Sequence, residues 1–365
     1  MSNSTSSITA YFLCSLFILL ILSVSFTSVI RVDAVRHTKT KSQPDSSQGT
    51  ETSNDMDTRQ SINIQQELTP NNPSSANHYS INAMDSVNDP TRGNSKVAIL
   101  TFDDGYKSQF TAAKSILDKY NFKATFFVVC NYAEKDANNR MDWKDVTQLH
   151  DEGHDIEAHT MNHKDLTTLP LDEVDYELGQ SKQCLLNHGI DSTIFSYPFS
   201  KGSDNIDIVN MVAKYYRMAR INDFPLMFLR CDGFENHQQQ NDCRTFTDDG
   251  KLTFANRYSI KSWAHQHVQD GLIYDDTQMF QKFVEVVNSQ NDYNKDTTIN
   301  AVPIITYHDI KYQNFDYGNE PYDTNVDLFD EEMRYLHDNN FKVITMSDLG
   351  YDGNSNSFYL TPSYL

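Results

Sequence analysis

The sequence predicts an α/β fold, a distorted (β/α) barrel with about seven parallel strands. From residue 96 onward, short apolar runs alternate with amphipathic segments, which is typical of strands joined by helical crossovers. A region of roughly 250 residues suits one closed or nearly closed barrel. Polar side chains also recur directly after successive predicted strands. An open doubly wound sheet is the alternative architecture for the same pattern.

The first half of this region alternates strand and helix. Residues 97–102 are almost wholly apolar, which indicates a buried strand, and residues 107–120 carry apolar side chains at helical spacing. Gly153 and Gly189 stand where glycines commonly end a helix. In chain order we predict strand 97–102, helix 107–120, strand 124–129, helix 143–152, strand 155–158, helix 171–187 and strand 193–197.

The second half continues the alternation around one irregular insertion. That insertion, residues 232–250, is polar and aperiodic, and it could form either a substrate lid or a plain surface loop. Residues 351–365 are expected to be a C-terminal tail. The elements predicted here are helix 206–215, strand 217–221, strand 258–260, helix 276–289, strand 302–307, helix 328–339 and strand 341–345.

Two carboxylates and two imidazoles mark a candidate metal site. Asp103 and Asp104 follow the first predicted strand, and His159 and His163 follow the third. The carboxyl ends of barrel strands meet at one face, so these side chains should converge. One carboxylate and two imidazoles can hold a divalent metal, which leaves the second carboxylate to deprotonate a metal-activated water. Taken singly, each fragment has a plainer interpretation, an Asp-Gly turn or a pair of surface histidines.

The two fragments resemble the motifs of a known family. Thr-Phe-Asp-Asp-Gly at 101–105 and His-Thr-x-x-His at 159–163 are similar to those of polysaccharide deacetylases with a NodB homology domain, carbohydrate esterase family 4. The resemblance covers residues 96 to about 349. It implies a NodB-type barrel in which Asp104, His159 and His163 bind the metal and Asp103 is the general base.

The third motif departs from the common form of the family. Ser196-Tyr197-Pro198-Phe199 stands where an arginine normally begins the motif, and this variant resembles the poly-N-acetylglucosamine deacetylase branch. The resemblance implies that the backbone N–H of Phe199 helps to bind the oxyanion, with Tyr197 and Pro198 beside the substrate. Arg257 is our candidate to replace the missing arginine as the group that orients Asp103; an ordinary strand-end salt bridge is the alternative.

A late apolar strand that ends in histidine matches the last motif of the family. The resemblance implies that His308 is the general acid that protonates the departing amine. A buried or capping histidine is the alternative interpretation of His308. Asp309 follows directly, but neighbours on a strand point to opposite faces, so we do not pair it with His308.

The N-terminal region has a different character. Residues 1–34 include an apolar run at 11–30 that could serve as a cleaved signal peptide or as a retained membrane anchor. Residues 35–95 are rich in Ser, Asn, Gln and Thr and are expected to be a disordered linker. We therefore expect an extracellular or cell-surface catalytic domain at 96–350, attached to the membrane through 11–30 if the run is retained.

The cysteines fit an exported protein. Four of the five lie beyond the apolar run and allow three pairings. Cys231 and Cys243 bracket the polar insertion and form our favoured disulfide, given the exported context.

The net charge of the chain limits the classes of molecule that it can bind. A formal net charge of -20 would repel phosphate backbones, so nucleic acid is an unsuitable partner. The expected function is removal of acetyl groups from N-acetylated amino sugars of a polysaccharide, with zinc as the best-suited metal and cobalt, nickel or iron able to use the same ligands. A catalytically impaired carbohydrate-binding protein of the same fold and an O-acetyl esterase are the alternatives.

Overall fold

A computed structural model of the chain describes residues 96–136, 138–229, 257–295, 297–312, 316–355 and 357–361. The signal or anchor segment 1–34, the linker 35–95, Cys231, Cys243 and the insertion 232–250 therefore lie outside the described residues. Within those residues, no helix has both the length and the apolar character needed to cross a bilayer.

The strands alternate with helices along the chain, as the sequence predicts. The strands are β1 Val97–Phe102, β2 Thr125–Val128, β3 Asp155–Ala158, β4 Ile194–Ser196, β5 Met218–Asn222, β6 Leu226–Phe228, β7 Ile260–Ala264, β8 Val268–Gln269, β9 Leu272–Ile273, β10 Ala301–Tyr307, β11 Ile310–Lys311, β12 Thr324–Asn325, β13 Lys342–Ile344, β14 Leu349–Asp352 and β15 Ser357–Leu360. The helices are α1 Lys114–Lys119, α2 Cys130–Lys135, α3 Trp143–Asp151, α4 Leu171–Asn187, α5 Ile206–Tyr215, α6 Asp276–Asn288 and α7 Val326–Asp338.

Seven parallel strands close into a barrel. Their order around it is β1, β2, β3, β4, β5, β7 and β10. The ring closes because β10 pairs in parallel with β1, with Ile99 opposite Ile304 and Phe102 opposite Tyr307. The predicted (β/α) barrel with about seven strands is therefore confirmed.

The alternation of side chains along each strand divides the core into two layers. Along β1, Val97 and Ile99 belong to the cluster inside the barrel, whereas Leu100 and Phe102 pack outward against the helices. Period-two alternation then places Thr101 and Asp103 inside, above Ile99. The interior thus changes from apolar to polar toward the carboxyl ends of the strands, where the candidate site lies.

The helix after β1 begins differently from the prediction of one regular helix over 107–120. A π-helical turn, Gln109–Ala113, precedes α1, and the Lys114 N–H donates to the Gln109 carbonyl five residues back. π-Helical turns are rare in proteins, and those that do occur often lie at functional sites.

The end of the chain also differs from the prediction. β13 pairs only with the first half of β1, so the last predicted strand lies outside the barrel ring. Residues 351–365 are not simply a tail, because β15 pairs antiparallel with β14. Phe358 is buried in the inner cluster, and its N–H donates to the Leu229 carbonyl. This hairpin extends the folded domain past residue 350.

Candidate metal and catalytic site

Three of the predicted ligands converge at the carboxyl ends of β1 and β3. The Asp104 Oδ1 lies 3.4 Å from the His159 Nε2 and 3.1 Å from the His163 Nε2. One ligand atom from each of the three residues lies within 4.8 Å of the others. The structure thus brings Asp104, His159 and His163 together in a cluster that could hold a metal ion.

The hydrogen bonds of His159 indicate which of its ring nitrogens faces the cluster. Its Nδ1 lies 2.8 Å from the Ser196 carbonyl oxygen, which can only accept, so Nδ1 carries the proton. A neutral His159 then presents the Nε2 lone pair to the cluster. Asp104 Oδ1 is buried, and no hydrogen bond of good geometry reaches it within the described residues. A carboxylate oxygen and an imidazole lone pair that face each other fit a bound cation.

The pKa shifts of His159 and Asp104 are consistent with a bound cation. Burial lowers the pKa of His159, but Asp103 and Asp104 raise it above its ordinary value. Burial raises the pKa of Asp104, and the adjacent imidazoles of His159 and His163 hold it well below its usual range. The site therefore favours an added positive charge, which is the requirement for a divalent metal ligated by one carboxylate and two imidazoles.

The loops that carry the ligands adopt uncommon backbone conformations. Asp104 has φ 72° and is followed by Gly105 at φ 69°, so the chain turns sharply as soon as β1 ends. His163 has φ 56°, and its N–H donates a hydrogen bond of 2.8 Å to the Thr160 Oγ1. Such conformations turn side chains from two neighbouring strand ends toward one point.

A buried glutamate holds the loop that carries His159 and His163. The Glu177 carboxylate on α4 accepts from the Asn162 N–H at 2.8 Å and from its side-chain amide at 2.7 Å. The Met161 N–H donates to the Glu177 carbonyl at 3.2 Å. These bonds fix the backbone between the two histidines, so the spacing of the ligands depends on α4 as well as on β3.

The second carboxylate is held by an arginine that our sequence analysis did not single out. The Arg220 Nη2 lies 2.5 Å from Oδ1 and 2.6 Å from Oδ2 of Asp103. Arg220 is fully buried, and its Nη1 donates to Asn222, Ser262 and Thr306. This network fixes Asp103 as an ionised, oriented group that is separate from the metal ligands.

The serine in place of the expected arginine belongs to the same network. The Ser196 Oγ lies 2.6 Å from Arg220 Nη2 and 3.4 Å from Asp103 Oδ2. Ser196 on β4 and Arg220 on β5 lie opposite each other in the sheet. The small side chain on β4 therefore leaves room for a guanidinium that comes from the neighbouring strand.

Our proposal that Arg257 orients Asp103 is therefore wrong. Arg257 precedes β7 at the amino-terminal side of the barrel, and its carbonyl accepts from the Ala219 N–H. Its guanidinium contacts Tyr258 and lies over the Tyr351 ring. A sequence signal for Arg220 existed: a charged residue in the middle of a buried strand needs an anionic partner.

The charge of Asp103 follows from these contacts. Burial raises its pKa, but Arg220, followed by His159 and His308, lowers it to below the ordinary value. An ionised Asp103 can accept a proton at neutral pH, which suits a general base.

His308 follows β10 beside this pair. Since Phe102 and Tyr307 are register partners, Asp103 and His308 leave adjacent strands side by side. Burial lowers the pKa of His308, opposed by Asp104 and Asp103. Its Nδ1 is buried without a hydrogen-bond partner among the described residues, and the Tyr322 ring lies 5.0 Å from its ring. His308 is thus placed with the other predicted site residues, and a carboxylate partner for Nδ1 is lacking in the described chain.

The third motif contributes Phe199. Pro198–Ser200 forms a short 3₁₀ turn after β4, in which Phe199 has φ 57°. The Phe199 ring is 57% exposed and lies 4.7 Å from the His163 ring, so it borders the metal-ligand cluster. The structure thus places Phe199 at the rim, with the buried Pro198 at the start of the turn.

The expectation that Tyr197 lies beside the substrate is not met. Its side chain is buried in the outer layer, with its ring 5.1 Å from that of Phe195. Alternation explains this placement, because Ser196 points into the barrel and its neighbour must point out.

The fold and site define a closed parallel barrel that carries a cluster of candidate metal ligands and an arginine-paired carboxylate at the carboxyl ends of its strands. Residues 91–217 match the family model described as polysaccharide deacetylase. The chain therefore contains a polysaccharide deacetylase domain of the NodB type. The matched residues include Asp103, Asp104, His159 and His163 and end before Arg220 and His308.

The chain is also similar to curated proteins and to solved structures. The chain is 34% identical over 124 residues to a gellan lyase of Bacillus sp, covering 33% of this chain and 4% of that protein. It is 33% identical over 84 residues to a peptidoglycan-N-acetylmuramic acid deacetylase, PdaA, of Bacillus subtilis, covering 23% and 30%. A family 4 carbohydrate esterase from Streptomyces lividans in complex with acetate is 13% identical, with a TM-score of 0.44, covering 73% of this chain and 99% of that one. The chain spans less than two fifths of the length of the curated relatives it matches.

Proposed function

We propose that this protein is a metal-dependent deacetylase that removes acetyl groups from N-acetylated amino sugars of a polysaccharide. One observation carries the proposal: a cluster of three metal ligands lies beside a second, arginine-paired carboxylate that is not needed as a ligand. Family membership of the matched domain supports the same reaction class.

Asp104, His159 and His163 would hold the metal. When bound, a divalent metal supplies Lewis-acid polarisation of the acetyl carbonyl and of the attacking water. Two imidazoles and one carboxylate suit zinc best, although cobalt, nickel and iron accept the same ligands.

The remaining groups move protons. Asp103 takes a proton from the water that attacks the acetamide carbon, and Arg220 keeps its carboxylate ionised and pointed at that water. His308 gives a proton to the departing amine. The backbone N–H of Phe199 binds the developing oxyanion from the rim of the site. Acetate and a free amino sugar are the products.

The third motif guides the choice of substrate. Its Ser-Tyr-Pro form supports a polymer of N-acetylglucosamine, as in the branch that this motif resembles. An O-acetyl esterase would use the same site on another acetylated glycan. A catalytically impaired binding protein was suggested by the missing arginine, and Arg220 weakens that alternative by supplying the same charge to Asp103.

Two features support export of the protein to the cell surface or the medium. Cys130 and Cys184 form a disulfide, and structural disulfides persist mainly in oxidising compartments. The apolar run at 11–30 would supply the targeting signal or the membrane anchor.

The test is acetate release from chitooligosaccharides and from acetylxylan, with metal removed by a chelator and with zinc restored. We expect zinc-dependent release from the N-acetylated oligomers and little from acetylxylan. Asp103→Asn should still bind zinc with unchanged affinity but lose at least about 10²-fold in kcat, because the base is removed while the ligands remain.

Asp191→Asn is the matched control, since this aspartate is exposed at the start of the loop before β4 and should leave kcat unchanged. Saturable oligosaccharide binding without acetate release at full zinc occupancy would favour the binding-protein alternative. Faster release from acetylxylan would favour the esterase.

A further inference from the structure

We propose that Gln109 is a positioning residue that sets the spacing between the general base and the general acid. This inference rests on the proposed function, since it assumes the roles given to Asp103 and His308. It concerns a residue outside the metal-ligand cluster and outside the Arg220 network.

Gln109 joins the two strand ends that carry these groups. Its Nε2 donates to the Asp103 carbonyl at 2.6 Å and to the His308 carbonyl at 2.9 Å. One amide nitrogen has two hydrogens, so a single group can satisfy both carbonyls at once. Gln109 is fully buried, and its bond to the Asp103 carbonyl is buried as well, which protects that bond from competition with water.

The position of these carbonyls explains the need for a bridge. The ladder between β1 and β10 continues to the bond from the Asp103 N–H to the Tyr307 carbonyl. Beyond it, Asp104 turns away with φ 72°, so the ladder cannot continue. At this point the Gln109 side chain bridges the backbones of Asp103 and His308, where the side chains of these two residues enter the site.

Neighbouring contacts anchor the bridge. Ser108 Oγ donates to Asp309 Oδ1 at 2.5 Å and accepts from the Ile310 N–H at 2.9 Å. Gln109 begins the π-helical turn before α1. Residues 108 and 109 therefore contact three consecutive residues, 308 to 310, directly after β10, and so hold the segment that carries His308.

The chain offers a matched control at the other end of β1. Gln290 is also fully buried, and its Nε2 donates to the Val97 carbonyl at 2.9 Å while its Oε1 accepts from the Val97 N–H at 2.9 Å. Gln290 thus bonds the start of β1 as Gln109 bonds its end. A purely structural role predicts similar effects at both positions, whereas a positioning role predicts different effects on catalysis.

The experiment compares Gln109→Met with Gln290→Met. Methionine keeps the length of the side chain and removes its hydrogen bonds. For Gln109→Met we expect kcat to fall by about 10²-fold, with KM and the zinc dissociation constant changed by less than about threefold. Gln290→Met should keep kcat within about twofold of the wild-type value.

Amide hydrogen exchange of the metal-free protein supplies a readout that does not need activity. Gln109→Met should speed exchange in a peptide covering 101–105, and Gln290→Met should instead speed exchange at Val97, each by about tenfold. If Gln109→Met does not fold, Gln109→Asn provides the test, because its amide is one methylene too short to span both carbonyls.

The proposal is overturned if the Gln109 variants keep kcat within twofold, if Gln290→Met loses as much, or if zinc affinity falls in step with kcat. An inactive wild-type enzyme would instead refute the proposed function. In that case exchange at 101–105 still decides whether Gln109 holds the strand end.

Discussion

Arg220 on β5 reaches across the barrel interior to Asp103 at the end of β1, with both carboxylate oxygens within 2.6 Å of its Nη2. Both side chains are buried, so neither charge is screened by water. A buried pair of this kind adds little net stability, but the loss of one partner leaves an uncompensated charge. Stability and catalysis should therefore both depend on this contact.

Arg220→Met should lower kcat at neutral pH by at least about 10²-fold. Burial raises the pKa of Asp103, and the variant removes the largest opposing influence, so the pKa should rise. The acid limb of the profile of kcat/KM against pH should then move to higher pH. The free energy of unfolding should fall by about 3–5 kcal/mol, measured by urea denaturation.

Arg257→Met is the control for this prediction, because it removes the arginine that lies outside the site. Its kcat and its pH profile should match those of the wild type. An unchanged acid limb in Arg220→Met, or an altered one in Arg257→Met, would contradict the assignment of Arg220 as the group that orients Asp103.

His163→Ala should weaken zinc binding by about 10²-fold or more, since it removes one of three protein ligands. Isothermal titration of the metal-free protein measures this directly. His150→Ala removes a half-exposed histidine on α3 and should leave the zinc affinity unchanged. Equal affinities for the two variants would show that the metal binds elsewhere.

The Cys130–Cys184 disulfide joins α2 to α4 across 54 residues of sequence. Reduction, or the double variant with serine at both positions, should lower the free energy of unfolding by about 4 kcal/mol, because the unfolded chain gains the freedom of a long loop. Urea denaturation with and without reductant measures the effect. Reductant should not change the stability of the double variant further, and a shift there would point to a second disulfide.

Stability should fall as the pH drops below 6.5, in part because of His154. Burial lowers its pKa from 6.5 to about 4, so the folded protein keeps this imidazole neutral. Below pH 6.5 the unfolded chain binds the proton and the folded chain resists it until about pH 4. The neutral Nδ1 also accepts from the Ala124 N–H at 3.3 Å.

His154→Gln keeps an acceptor near that N–H and cannot be protonated. The difference in unfolding free energy between wild type and variant should shrink by about 2 kcal/mol between pH 8 and pH 5. Urea denaturation at a series of pH values gives this difference. A constant difference over that range would mean that His154 is already exposed to protonation in the folded protein.

The fold could be predicted well because its signals are local. The strands β1 and β3 and the helices α4 and α5 lie within the expected bounds. The pairing of β13 with only half of β1, and the burial of Phe358 from the C-terminal hairpin, depend on contacts between distant segments. Neither leaves a periodic trace in the sequence.

The residues of the site also differ in how well the sequence predicts them. Asp103, Asp104, His159 and His163 stand in short motifs, and their placement at strand ends brings them together. Arg220 and Gln109 act through contacts with residues more than 90 positions away, at Asp103 and at His308. The charge of Arg220 within a buried strand indicates that it needs an anionic partner, but which residues Arg220 and Gln109 contact can be recognised only once the barrel has fixed which strands face each other.

Of the nine non-glycine residues with positive φ in the described segments, five lie at or beside the site. They are Asp104, Thr160, His163, Phe199 and Ser200. Each conformation costs on the order of 1 kcal/mol or more, which the barrel must offset. Glycine at these positions would relax the backbone and raise thermal stability, yet it would delete or loosen the groups that perform the chemistry. Thermostable variants should therefore be sought at the opposite end of the barrel, since selection for stability alone would first remove the strained backbone on which the proposed activity depends.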